Sequence, residues 1–259
     1  MRLASLLCLL AAAAPAQDWA KQKLEKSPRH GEWVQVKHDG RAVDAFVVYP
    51  EVKNKATSVI VVHEIFGMTD WVRDMADQFA EAGYIAIAPD LLSGMGPNGG
   101  KVTDENQVRQ LISKLPPEQI AADLNAVADY VKKLPAANGK IVAAGFCWGG
   151  SAVFNFATNR PDLSAALVFY GTAPDSPEAI ARIKAPVYGF YGGNDARVDA
   201  TIPKTEEVMK TARKTYEPVT YEGAGHGFMR AGEDPAGSEA NKKARDEAWT
   251  RVRAILRKL

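Results

Sequence analysis

Cysteine is nearly absent from this chain: two occur in 259 residues, Cys8 and Cys147. There is no C-x-x-C pair, and histidines number four. That scarcity argues against a dithiol redox protein or a structural metal site. Neither sign of charge is in excess, with 32 Lys and Arg against 31 Asp and Glu. No basic stripe is visible, so nucleic acid is not an expected partner. Beyond the N-terminal segment no apolar run approaches the ~20 residues that span a bilayer. Internal repeats, low-complexity tracts and linkers are also missing after about residue 30. What remains is ordinary globular composition, 46% hydrophobic and 24% charged, in a chain long enough to bury one large core.

The first residues, "MRLASLLCLLAAAAPAQDW", have the parts of a secretory signal peptide. Arg2 is the positive n-region, Leu3 to Ala14 is apolar, and Ala14-Pro15-Ala16 is an A-x-A cleavage site. Cys8 follows Leu7 rather than the small residue that lipid attachment needs. Cleavage is expected after Ala16, with a periplasmic or secreted product. The mature chain then keeps one thiol, Cys147. In an oxidising compartment a lone thiol is a liability unless it is buried or used. Residues 17–29 are polar and read as a flexible lead-in, and residues 30–259 as a single domain, expected to be a monomer.

Two strand-like runs flank Asp39-Gly40, a favoured hairpin turn. Strands and helices then alternate. "SVIVVH" (58–63) is apolar throughout, as befits a strand covered on both faces. "TDWVRDMADQFAEAG" is a helix capped at Thr69 or Asp70 and stopped by Gly83. "YIAIAP" is the next strand, followed by a Gly-rich loop over 93–100. "PPEQIAADLNAVADYVKKL" places Ile120, Leu124, Val127 and Val131 on one helical face. "KIVAAGF", "AALVFYG", "PVYGFYG" and "YEPVTYEG" are further strands, and the chain ends in a helix. This alternation predicts an α/β fold: a mostly parallel central sheet, an N-terminal antiparallel hairpin, and helices on both faces.

One strand runs directly into Gly145-Phe146-Cys147-Trp148-Gly149. The frame is the Gly-x-Ser-x-Gly elbow of α/β hydrolases with sulfur in place of oxygen. A nucleophile there sits on a strained turn, and the positive end of the following helix favours its thiolate. By itself the motif fits an inert buried cysteine at a strand–turn–helix junction equally well. The other candidates follow in the chain order such hydrolases use. Asp195 lies in a Gly-Gly-Asn-Asp turn after one strand, with Asp199 as the reserve acid. His226 lies in "GAGHGF" after the last strand. His30 and His38 read as solvated, and His63 ends a strand near the expected crevice. The chemistry would be attack by Cys147 on an ester or lactone carbonyl. His226 would take the thiol proton, Asp195 would orient the imidazole, the Trp148 N–H would face the oxyanion, and water would release the acid from a thioester.

These three residues, with "VVHEIFGMTDW", "NDARV" and "GHGF", resemble the dienelactone hydrolase family over nearly the whole mature chain. The resemblance implies the α/β-hydrolase fold, a Cys147–His226–Asp195 triad and a small-molecule ester or lactone substrate. No cofactor and no metal are implied. It also implies that Glu64 pairs with the resting Cys147, and that the Ile65 N–H is the second oxyanion donor. Arg230 matches one of two arginines that bind a substrate carboxylate in the family; Gly94 stands where the other would be. Hydrolysis of another acyl bond, thioester or peptide, and a non-catalytic binding protein of the same fold are the competing expectations.

Overall fold

The computed structural model describes residues 18–259; the segment read as a leader, with Cys8 and the cleavage expected after Ala16, lies outside the described residues. Strands β1 (Gly31–His38) and β2 (Arg41–Val48) form the hairpin. Asp39 and Gly40 both take positive φ, 44° and 75°, as the tightest hairpin turn requires. Then come β3 (Ala56–Val62), α2 (Asp70–Glu81), β4 (Ile85–Pro89), α3 (Glu105–Ile112), α4 (Pro117–Lys132), β5 (Ala137–Phe146) and α5 (Trp148–Asn159). They are followed by β6 (Leu163–Phe169), α6 (Pro177–Ala181), β7 (Val187–Gly192), α7 (Ala196–Asp199) and α8 (Ile202–Thr211). The chain finishes with β8 (Tyr216–Tyr221), α9 (Phe228–Ala231) and α10 (Glu239–Leu256).

The strands join in one 8-stranded sheet, ordered β1-β2-β4-β3-β5-β6-β7-β8. β1 and β2 pair antiparallel, β2 pairs antiparallel with β4, and every other neighbour is parallel. All seven residues of β3 are buried, because alternate side chains enter two separate cores. Ile60 and Val62 pack with α4 and α5; Val59 and Val61 pack with α2 and α10. A strand at the middle of such a sheet has no wet face, so its sequence loses the period-2 pattern. Thr69 caps α2 by accepting from Val72 N, as its position predicts. The sequence pattern assigns no element to 102–115. The structure has α3 there, capped by Asp104, whose Oδ1 accepts from Gln107 N at 2.8 Å. No helix among the described residues is long and apolar enough to cross a membrane.

Two expectations are corrected. The segment read as a flexible lead-in contains a helix, α1 (Asp18–Lys26). Ala20 is buried in the α2–α10 core, Lys23 pairs with Glu233 at 2.6 Å, and Arg29 grips Asp77 through two bonds of 2.9 and 2.5 Å. The helix is anchored by charge, the buried Ala20 and the half-buried Trp19, too few apolar positions to announce a period. His38 is not solvated. Its Nε2 lies 2.7 Å from Oδ1 of the fully buried Asp123, which also accepts from Arg41 Nε at 2.9 Å. Arg41 then donates to the carbonyls of Ser93 and Leu91, tying the hairpin to the segment after β4.

Where α1, α2 and α10 meet, Glu233 accepts from Lys23, Trp71 Nε1, Gln78 and Arg245. Asp74 shares a hydrogen bond with it. Burial and the neighbouring Glu233 charge push Asp74 up to about 8. Burial also opposes the Glu233 charge, but Arg245 and Lys23 outweigh it and hold Glu233 below its usual value. The pair thus keeps one proton at neutral pH. A raised acid contributes stability that is full below the unfolded value and lost as pH rises through the folded one. Glu233 acts in the opposite sense at lower pH, outside that window. Wild-type protein is therefore expected to lose thermal stability between pH 5 and 8. Asp74→Asn, which keeps a donor towards Glu233, is expected to flatten that slope, as followed by melting temperature against pH.

Candidate active site

β5 delivers Phe146 and α5 starts at Trp148, leaving Cys147 alone at the turn with φ 57° and ψ −119°. A positive φ on a cysteine is strained backbone, held only where surroundings enforce it. The glycines supply that enforcement by close approach. A Cβ on Gly145 would lie 2.0 Å from the Gly149 carbonyl oxygen. One on Gly149 would lie 2.4 Å from His63 O and 2.5 Å from Val62 O. One on Gly150 would meet Phe169 O at 2.5 Å. Cys147 N donates to Phe169 O and Cys147 O accepts from Gly150 N, both at 3.0 Å. The elbow is thus wedged between the ends of β3 and β6.

β7 and β8 bring the other two candidates. Gly192 lies against the carbonyls of Ala224 and Gly225, where a Cβ would sit 2.7 and 2.6 Å from their oxygens. Asn194 N donates to Ala224 O at 2.9 Å, and its Nδ2 to Gly223 O at 3.0 Å. Asn194 therefore locks the Asp195 turn onto the His226 loop, a role hidden in the sequence because its acceptors lie 29 and 30 residues away. His226 Nδ1 hydrogen-bonds Asp195 Oδ2, and His226 Nε2 lies 3.0 Å from Cys147 Sγ. Asp195 is buried, whereas the His226 ring is about one-third exposed (34%). Asp199, the reserve acid, sits on α7 with its Oδ1 unpartnered among the described residues, and the imidazole takes Asp195 instead. Burial disfavours a charged His226 ring, but the hydrogen bonds to Cys147 and Asp195 outweigh it and push His226 up to about 9. The Tyr170 and His226 rings meet edge-on at 5.1 Å. Tyr170 itself has a positive φ of 40° and a fully buried phenol beside Glu64 and Cys147.

Glu64 is 3% exposed and bonds Arg230, Oε2 to Nε at 2.7 Å. Cys147 is bonded by His226 rather than by Glu64. Burial drives the Glu64 carboxyl above its usual value, against the pull of Arg230. The Arg230 guanidinium lies 5.1 Å from the Phe66 ring centre, and the Arg109 guanidinium lies at the same distance from that ring. Arg109 comes from α3, the helix that sequence pattern misses. Gly94, by contrast, has φ 75°, and a Cβ there would meet only the Gly99 carbonyl oxygen within 4 Å. Trp71 and Phe228 are fully buried core residues. Trp148 is half-buried and lines a cavity of about 270 Å³ between α4 and α5. The Trp148 and Ile65 N–H groups have no acceptor among the described residues. For Trp148 this follows from its place as first residue of α5. No cluster of three or more His, Cys, Asp or Glu suited to a metal ion occurs among the described residues.

A model of the dienelactone hydrolase family matches residues 43–259. A protein of Saccharolobus solfataricus provisionally named carboxymethylenebutenolidase is 32% identical over 255 residues, covering 85% of this chain and 96% of its own. A protein of Salmonella typhimurium with the same provisional name is 32% identical over 224 residues, 82% of each chain. A crystal structure from Klebsiella pneumoniae, described as that of a provisionally assigned dienelactone hydrolase, has a TM-score of 0.78 at 27% identity, covering 89% of this chain and 99% of its own.

The raised His226 value carries a measurable consequence. Its favourable contribution to stability is complete below the free imidazole range and is lost as pH rises through about 9. In an NMR titration the His226 ring is expected to deprotonate near pH 9. Its midpoint should fall in Cys147→Ala, which removes one of the two bonds that favour the charged ring.

Proposed function

The chain belongs to the dienelactone hydrolase family, and from that premise we propose that it hydrolyses carboxylic esters or lactones by acyl transfer to Cys147. The observation that carries this reading is the continuous hydrogen-bonded series from Cys147 Sγ through His226 to Asp195. His226 holds the proton drawn from the Cys147 thiol, as its raised value requires at neutral pH, and Asp195 fixes the ring with Nδ1 as donor and stabilises the imidazolium. The sulfur attacks the substrate carbonyl carbon. The carbonyl oxygen, now anionic, faces the N–H groups of Trp148 and Ile65. Collapse expels the alcohol, which leaves with the proton from His226; in a lactone that alcohol stays attached to the acyl group. Water, deprotonated by His226, then attacks the thioester, and the acid departs as Cys147 recovers its proton. The A-x-A leader supports placing this reaction outside the cytoplasm.

In this reading Glu64 and Arg230 set the resting state. A carboxylate held close to the elbow opposes a negative sulfur, so the thiol is least reactive when no substrate is bound. That protects a lone cysteine in an oxidising compartment. A substrate carrying an anionic group would compete with Glu64 for Arg230, which is where a substrate-binding role for Arg230 enters.

Two experiments test the reading. The first runs mature protein and Cys147→Ala against a panel of esters, lactones, thioesters and peptides. Ester or lactone turnover that disappears in Cys147→Ala is expected; wild-type turnover in that variant sinks the mechanism, and turnover confined to thioesters or peptides sinks the substrate class. The second measures iodoacetamide alkylation of Cys147. Glu64→Gln is expected to raise the rate severalfold in the absence of substrate, and an unchanged rate counts against the role given to Glu64.

A further inference from the structure

His63 is fully buried yet only half satisfied. Its Nδ1 lies 2.8 Å from the Glu64 carbonyl oxygen, and its Nε2 has no partner among the described residues. A carbonyl only accepts, so Nδ1 carries the proton and Nε2 is a bare lone pair sealed from solvent. Burial holds the ring neutral by lowering its basicity. An orphaned polar atom in a dry interior is a standing cost to stability that an apolar side chain would avoid. Something must favour the donor at Nδ1.

The carbonyl that His63 holds belongs to the same peptide unit as the Ile65 N–H. In a trans peptide, C=O and N–H point in opposite directions, so fixing one aims the other. A second donor, Gly67 N, reaches the same carbonyl at 3.2 Å and closes a turn in which Gly67 has φ 72°. The face of the His63 ring stacks on the Trp148 indole, with centroids 5.5 Å apart and planes 10° from parallel. The backbone of Gly149 abuts the His63 carbonyl. One side chain therefore touches both Trp148 and the peptide that ends in the Ile65 N–H.

We propose that His63 is a positioning residue: it orients the Glu64–Ile65 peptide and registers it against Trp148, so that two backbone N–H groups converge on the oxygen of the reacting carbonyl. The inference rests on the acyl-transfer reading above. Because Nε2 is sealed and the ring neutral, its part is orientation and not proton transfer.

Leucine and asparagine have nearly the same shape, but only asparagine can present an N–H where His63 has Nδ1. With the best ester of the panel, His63→Leu is expected to lower kcat about a hundredfold, the scale of one misplaced oxyanion donor, with KM within about threefold. His63→Asn is expected to recover most of that loss, to within about tenfold of wild type. Alkylation of Cys147 by iodoacetamide develops no oxyanion and should keep its wild-type rate in both variants. Equal losses of kcat in the Leu and Asn variants, or wild-type kcat in His63→Leu, overturn the proposal. So does a parallel fall in alkylation, which would assign His63 to support of the whole elbow. If His63→Leu does not fold, His63→Phe, which keeps a ring against Trp148 without the donor, takes its place in the comparison with Asn. Failure of the underlying reading shows elsewhere, as ester turnover that survives Cys147→Ala.

Discussion

The contact on which the rest of the structure depends is backbone against backbone: Gly149 at the start of α5 pressed onto the carbonyls of Val62 and His63 at the end of β3. No side chain fits between them. That approach holds Cys147 in its strained turn and sets the start of α5 directly against the end of β3. Gly145 and Gly150 repeat the device against Gly149 and Phe169. A parallel sheet makes this possible, since it ends β3, β5 and β6 side by side with their loops on one edge.

Around that wedge, charge is handled by pairing rather than by exposure. Glu64 is buried against Arg230, Asp123 against His38 and Arg41, and Asp74 against Glu233 with one proton between them. Buried pairs of this kind add little net stability, but removing one partner leaves an uncompensated charge. They therefore fix geometry. Arg41 ties the hairpin to Leu91 and Ser93, Glu233 ties α1 and α10 to the segment after α9, and Arg230 ties Glu64 to the loop that carries His226. The loops of the candidate site are held by these bonds and by Asn194, together with the buried Ala224 and Phe228 on either side of His226.

The sheet was legible because burial on two faces leaves a plain signal: short apolar runs between helices of period 3.6. The hairpin was legible from Asp39-Gly40, and the candidates Cys147, Asp195 and His226, which the structure brings into hydrogen-bond contact, from glycine spacing and chain order. Helix α1 was not, since its docking relies on Lys23, Arg29, one buried alanine and the adjacent Trp19, which form no helical period. Helix α3 was not, since only Val108 and Ile112 are buried in it. His38 reads as a solvated residue beside a turn because its partner, Asp123, is 85 positions away. Asn194 and Arg109 escaped for the same reason: what each one touches is distant in sequence.

Local chemistry in the sequence determined the alternation of strands and helices, the glycine-flanked elbow at Cys147, the candidacy of Asp195, Asp199 and His226, and the likeness to a family of ester and lactone hydrolases. Tertiary structure decided which charges meet. Only the folded chain pairs Glu64 with Arg230 instead of with Cys147, selects Asp195 over Asp199 as the partner of His226, and turns a bare His63 towards the Glu64 carbonyl. The reason is range. Propensity, periodicity and turn geometry act within a few residues and are written in neighbouring letters. A hydrogen bond or an ion pair acts across ~3 Å of space whatever the separation along the chain, and nothing in the local sequence records its partner.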